Sequence, residues 1–362
     1  MKDSMLQKDE KKRIKQHIYR TFFEDSPTVF IKKSVFLPIM RFLLAFTLIF
    51  GYSLVVSGQS FLVDSLLKQH VSALSHDSMG GRFSGSAGMV KSASYISVEM
   101  DAMGLQPYHK HDTGRFLIYW DTVLQGKSYW GYNVAGVLPG EIMDTAIIFS
   151  AHYDHIGLQA TQKALPFGAY SRRTKGDTIY NGANDNATGV AALLYLASHF
   201  TSMPPPHYTL VFVCFSGEEL GMIGSDKFAA ALIPEMYLAY NINLEMLGRP
   251  NGTGPFITEP DEFTDFRQRL NRILFEHDRT YRKNYFSEDP FKNQNLFKRS
   301  DNYSFYKIGI PGYTIMASDP RDRFYHHTGD QYETIDFDEM GKIVEAIKLA
   351  VKPLVSGSKT GK

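Results

Sequence analysis

The stretch "TAIIFSAHYDHIG", residues 145–157, runs an apolar segment directly into His152, Asp154 and His155. A short continuous apolar run bounded by polar residues reads as a strand buried on both faces, the pattern of a parallel sheet covered by helices. Outward from it the pattern recurs: helix "ATGVAALLYLASHF" (187–200), strand "YTLVFVCFS" (208–216), helix "DKFAAALI" (226–233) and strand "MYLAYNINLEM" (236–246). A later strand, "GYTIMAS" (312–318), precedes the helix "DEMGKIVEAIKLAV" (338–351). Strands alternating with helices predict an α/β fold with a mainly parallel sheet, whose sites form beyond the carboxyl ends of the strands.

On the amino-terminal side, "RFLIYWDTVLQ" (115–125) and "YNVAGVLPG" (132–140) are β-rich. Before them, "FLVDSLLKQHVSALS" (61–75) and "MVKSASYISVEMDAMGL" (89–105) carry helical spacing, separated by the Gly/Ser loop "MGGRFSGSAG" (79–88). The segment 256–302 is mostly polar and is expected to supply a helix and rim loops.

The 362 residues suit one large domain plus a targeting segment, and the 43% hydrophobic fraction suffices for a core. A formal net charge of +1 gives no global field for nucleic acid, so none is expected as a partner. Residues 1–58 combine a basic start, "KDEKKRIKQ" and "FIKKS", with a 15-residue apolar run at 42–56. That length favours a signal peptide over a span of about 20 residues; Ser57 and Gly58 suit cleavage, and Met40–Arg41 would itself start such a signal. "VFLPIM" extends the run toward a type II anchor, in which case the segment, uncleaved, is the membrane contact. Either way residues 59–355 form the exported domain, periplasmic or secreted, and 356–362 a disordered tail. The lone Cys214 lies in an apolar run and reads as core.

Successive segments end in acids or histidines: His152 and Asp154, then Asp185 in "YNGANDNATG", then Glu218 and Glu219, then Glu245, and finally the "YHHTGD" of residues 325–330. Singly, each has a bland reading, such as a cap at Asp185 or a solvated Glu219. Together they bring oxygen and imidazole donors without thiolate to one sheet edge. Such donors suit catalytic zinc, with cobalt or manganese as substitutes. Five protein ligands suit two metals sharing a carboxylate roughly 3.5–4 Å apart. Of the adjacent Glu218 and Glu219, one is expected to bind metal and the other to face substrate as general base. His155 falls off the His152 face and is read as structural.

"SAHYDHIG", "YNGANDNATGVAALL", "FVCFSGEELGMIGS", "NINLEMLGR" and "YHHTGD" together resemble the co-catalytic zinc aminopeptidases of metallopeptidase family 28, over roughly residues 70–352. The resemblance implies a single three-layer α/β/α domain with a mixed, mainly parallel sheet, and two Zn²⁺ per chain. It implies that His152 and Glu245 hold one zinc, that Asp185 bridges both, and that Glu219 and His327 hold the other. Glu218 matches the general base and Asp154 the acid orienting His152. Glu245 stands where many members carry Asp. Asp301, Tyr303 and Phe305 of "KRSDNYSF" are the implied substrate wall. The implied activity is an exported aminopeptidase acting on peptides with a free N-terminus; a glutaminyl cyclase or a non-catalytic receptor-like ectodomain of the same fold are the alternatives.

Overall fold

The computed structural model describes residues 63–357 apart from 109–115, 165–170 and 233–236 and positions 251, 253, 264 and 320. The expected signal or anchor and the tail from 358 onward lie outside the described residues. No helix among the described residues is long and apolar enough to cross a membrane. All of the elements below belong to the unit Ser60–Lys362.

The strands in chain order are β1 (Gln106–Pro107), β2 (Leu117–Leu124), β3 (Lys127–Leu138), β4 (Ile142–His152), β5 (Tyr208–Phe215), β6 (Tyr237–Glu245), β7 (Phe256–Thr258), β8 (Ser287–Glu288) and β9 (Gly312–Met316). They form one sheet in the order β1-β3-β5-β4-β6-β9-β7-β8, with β2 paired to β3. The centre, β5-β4-β6-β9, is parallel, and His152 sits opposite Phe215 at its carboxyl end. β3 joins β5 antiparallel, so the sheet is mixed.

Period-two alternation sends the side chains of one strand into two separate cores. Ile147, Phe149 and Ala151 of β4 enter the larger one, under the helix running through 63–74 and the helices Ala87–Ala102, Thr188–Thr201 and Phe337–Val355. Ala146 and Ile148 enter the smaller one with Phe228 and Ala229 of the helix Ile223–Leu232 and with Phe305. Burial on both faces is why β4 and β5 read as unbroken apolar runs. It also explains Thr188–Thr201, almost wholly buried and apolar around most of its circumference.

The flanking helices are capped by their own sequence. Ser86 accepts the Met89 amide to start Ala87–Ala102. Asp336 accepts the Glu339 amide to start Phe337–Val355, which places Asp338 and Glu339 in its first turn and Lys352 in its last, complementing the helix dipole. The segment 256–302 supplies β7, β8 and the helix Asp265–His277. Cys214 is fully buried, and burial pushes its thiol up.

Candidate metal centre

The carboxyl ends of the parallel strands converge as the topology requires. His152 closes β4, Glu245 closes β6, and Glu218 and Glu219 follow β5 by three and four residues. Asp185 comes from the turn before Thr188–Thr201. That turn is held from below: both Asp330 carboxylate oxygens accept backbone amides, from Asn184 at 2.9 Å and Asp185 at 3.1 Å. Arg249 Nη1 pairs with Asp330 at 2.6 Å, and its Nε with Asp322. Asn186 ties the same turn to the end of β6, donating to the Leu244 carbonyl and accepting the Met246 amide, each at 3.0 Å.

The Asp185 carboxylate is the hub. Its Oδ1 lies 3.4 Å from His152 Nε2; its Oδ2 lies 3.5 Å from His326 Nε2 and 3.7 Å from His155 Nδ1. Glu219 completes the second side, at 3.1 Å from His326 Nε2 and 2.8 Å from His155 Nδ1. Among the described residues, His155, Asp185 and Glu219 present donor atoms that all lie within 4.8 Å of one another. His152 Nδ1 donates to the Asp154 carbonyl at 3.2 Å, which leaves Nε2 facing Asp185; Nε2 is buried and makes no hydrogen bond. A buried imidazole nitrogen aimed at a carboxylate cluster, without a bond of its own, is what a cation would satisfy, and the residues present suit zinc.

Asp185, Glu218, Glu245 and His326 line one cleft, together with Met246, Leu296, Arg299, Ser300, Met316 and Tyr325. Ser300 Oγ donates to Glu245. Burial works against every carboxylate here, and the outcome depends on neighbours. Glu219 is nonetheless brought down to about 2, because His326 and His155 favour its anion. Asp185 is likewise held well below the usual range by His152 and His326. Glu218 goes the other way, raised well above it by burial and by Glu219, Glu245 and Asp301, against the pull of His152.

Several expectations change. The structure brings His326, not His327, to the carboxylates. His326 adopts a left-handed backbone (φ 49°), which turns its ring inward to stack on Tyr325 at 4.0 Å. His327 instead accepts the Gly329 amide at 2.7 Å and packs its ring against Phe324. His155, read as structural, is fully buried against Glu219. The Asp154 carboxylate stands 3.8 Å from His152 Nδ1, too far for a hydrogen bond, and is engaged by Ser84 Oγ at 3.1 Å and the Glu218 amide at 3.2 Å; the carbonyl of Asp154 orients the ring.

The implied substrate wall also moves. Phe305 is wholly buried, packed on Phe215 at 6.2 Å, and belongs to the core. Tyr303 stacks with Tyr306 and meets Phe297 rather than lining the cleft. Asp301 is fully buried behind it, and both of its carboxylate oxygens lack a hydrogen bond. Met246, Leu296, Met316 and Tyr325 form the cleft wall in their place, with Arg299 and Ser300.

Residues 133–351 match the model of Peptidase family M28, more than half of the 362-residue chain, and the chain belongs to that family. Aminopeptidase YwaD of Bacillus subtilis is 24% identical over 240 residues, 64% of this chain and 46% of its own. The chain spans less than half the length of the curated relatives it matches. Among solved structures, a zinc aminopeptidase from Bacillus subtilis aligns at a TM-score of 0.59 with 16% identity, covering 83% of this chain and 96% of that one. A Bacteroides thetaiotaomicron glutaminyl cyclase bound to N-acetylhistamine aligns at 0.59 with 16% identity, covering 80% and 97%. At these identities the structural likenesses establish the fold.

Proposed function

We propose that the protein is an exported zinc exopeptidase that removes N-terminal residues from peptides, with two zinc ions held by His152, Asp185, Glu219, Glu245 and His326 and with Glu218 as general base. The observation that carries this reading is the placement of Asp185, between His152 on one side and the Glu219–His326 pair on the other, on the floor of the cleft that Glu218 and Glu245 also line. Membership of the peptidase family and similarity to an aminopeptidase support it. The export rests on the basic start and apolar run of residues 1–58.

Zinc, when bound, supplies a Lewis acid and lowers the pKa of water toward about 7. Glu218 lines the cleft as the base: its carboxylate takes a proton from water at Oε and delivers it to the leaving amine nitrogen. The Asp154 carboxylate fixes the backbone beneath that base through the Glu218 amide. Met246, Leu296 and Met316 offer an apolar wall to the first side chain.

The test is mass spectrometry of a mixed peptide set incubated with the zinc-loaded protein, free N-termini beside N-acetylated copies. Loss of single N-terminal residues from the free peptides alone is expected. Equal attack on blocked peptides would refute the aminopeptidase reading, and cyclised N-terminal glutamine without hydrolysis would replace it with the cyclase chemistry.

A further inference from the structure

We infer that Arg82, assisted by Ser84, is a positioning residue of the metal centre, locking the His152–His155 turn to the Asp185 turn. The inference rests on the metal centre of the proposed function. Both residues belong to the Gly/Ser loop 79–88, which precedes the part of the chain matched by the family model.

The loop is built to bury a guanidinium. Gly80, Gly81 and Arg82 all adopt left-handed backbone, with φ of 56°, 67° and 54°. At Gly81 a Cβ would stand 2.3 Å from the Gly157 carbonyl oxygen and 2.5 Å from that of Tyr180, so only glycine lets the loop press between the two turns. Arg82 is then 0% exposed. Its Nε donates to the Tyr153 carbonyl at 2.6 Å, between His152 and Asp154 in sequence. Nη1 donates to the carbonyls of Leu74 at 2.7 Å and of Asn181, and Nη2 to that of Gly182 at 2.8 Å, at the start of the Asp185 turn. One rigid planar fork therefore spans both ligand-bearing turns and fixes their separation. Two positions on, Ser84 Oγ donates to Asp154.

The partners of the guanidinium are neutral carbonyls, an expensive setting for a buried charge. What offsets it is the site itself: Asp330, Asp185, Asp154 and Glu219 act on Arg82 through space, against the burial that brings its pKa down to about 10. The dependence is mutual, since the cation beneath the cluster also eases the crowding of carboxylates above it.

The experiment compares the full chain with Arg82→Lys, Arg82→Gln and Ser84→Ala. It reads zinc affinity by chelator competition, Tm with and without zinc, and kcat and KM separately. A lysine ammonium cannot reach both turns in the guanidinium's planar geometry. Arg82→Lys should bind zinc about 10- to 100-fold more weakly, show a smaller rise in Tm on adding zinc, and lower kcat with KM little changed. Ser84→Ala keeps the guanidinium and should lose several-fold in zinc affinity. Wild-type zinc affinity in Arg82→Lys would overturn the inference. So would equal falls in Tm with and without zinc, or unfolded Arg82 variants beside a Ser84→Ala with unchanged zinc binding, because each leaves the loop a role in stability alone. The zinc measurements stand whether or not the wild type cleaves peptides, which separates failure of this inference from failure of the proposed activity.

Discussion

Glu218 and Glu219 are neighbours in the chain and opposites in proton affinity. Glu219 faces two histidines and stays ionised; Glu218 faces carboxylates and holds its proton more tightly. Environments that push two carboxyl groups apart mark out acid–base roles. Glu218→Gln is therefore expected to keep its zinc while kcat falls by about 10²- to 10⁴-fold, measured on a peptide with a free N-terminus. His155→Ala, which removes the donor to Glu219 Oε1, should weaken zinc binding by about 10- to 100-fold in a chelator titration. The sequence carried most of these residues because strand ends concentrate them. It misplaced one histidine: of the two adjacent histidines in "YHHTGD", the resemblance was placed on His327, whereas His326, four residues before Asp330, is the one that faces the carboxylates. The inward role of His155 was hidden because period-two reasoning fails once β4 ends at His152 and the chain turns.

Among the elements, β4 and β5 were readable because burial on both faces leaves an unbroken apolar run, while β7 and β8, three and two residues long, carry no periodicity to detect. The wall expected at 301–305 failed for a related reason. The helix Asn302–Tyr306 packs Phe305 into the smaller core, and sequence alone does not separate a buried aromatic from a pocket-lining one. The layered core makes its own prediction. Phe149 stacks on Phe212 at 5.4 Å and on Phe200 at 6.1 Å, linking β4 to β5 and to the helix beneath. Phe149→Ala should lower unfolding free energy by about 3–5 kcal/mol in urea titrations. The helix through 63–74 adds a pH dependence. His70 is buried with Nδ1 2.7 Å from Tyr95 Oη, and desolvation lowers its pKa to about 4. Between about pH 6.5 and 4 the unfolded chain takes up a proton there that the folded one does not, so stability falls as pH falls. From pH 7 to pH 5 this one group should cost about 2 kcal/mol. His70→Asn should lack that share of the decline in paired titrations; an unchanged decline would refute the assignment.

At the scale of the whole molecule, one sheet edge gathers donors from segments spread between His152 and His326, and the loop of Arg82 and Ser84 underpins them from outside the family match. The fold class was legible in the alternation of strands and helices. The loop's contribution was not, because a Gly/Ser-rich stretch reads as a connection until the carbonyls around its arginine are seen. The central claim is that His152, Asp185, Glu219, Glu245 and His326 hold two metals, and the most direct measurement is zinc per chain, by elemental analysis, in the wild type, His326→Ala and His327→Ala. The account predicts about two zincs in the wild type and in His327→Ala, and about one in His326→Ala. A single zinc in the wild type, or loss of zinc on changing His327 and not His326, would contradict it.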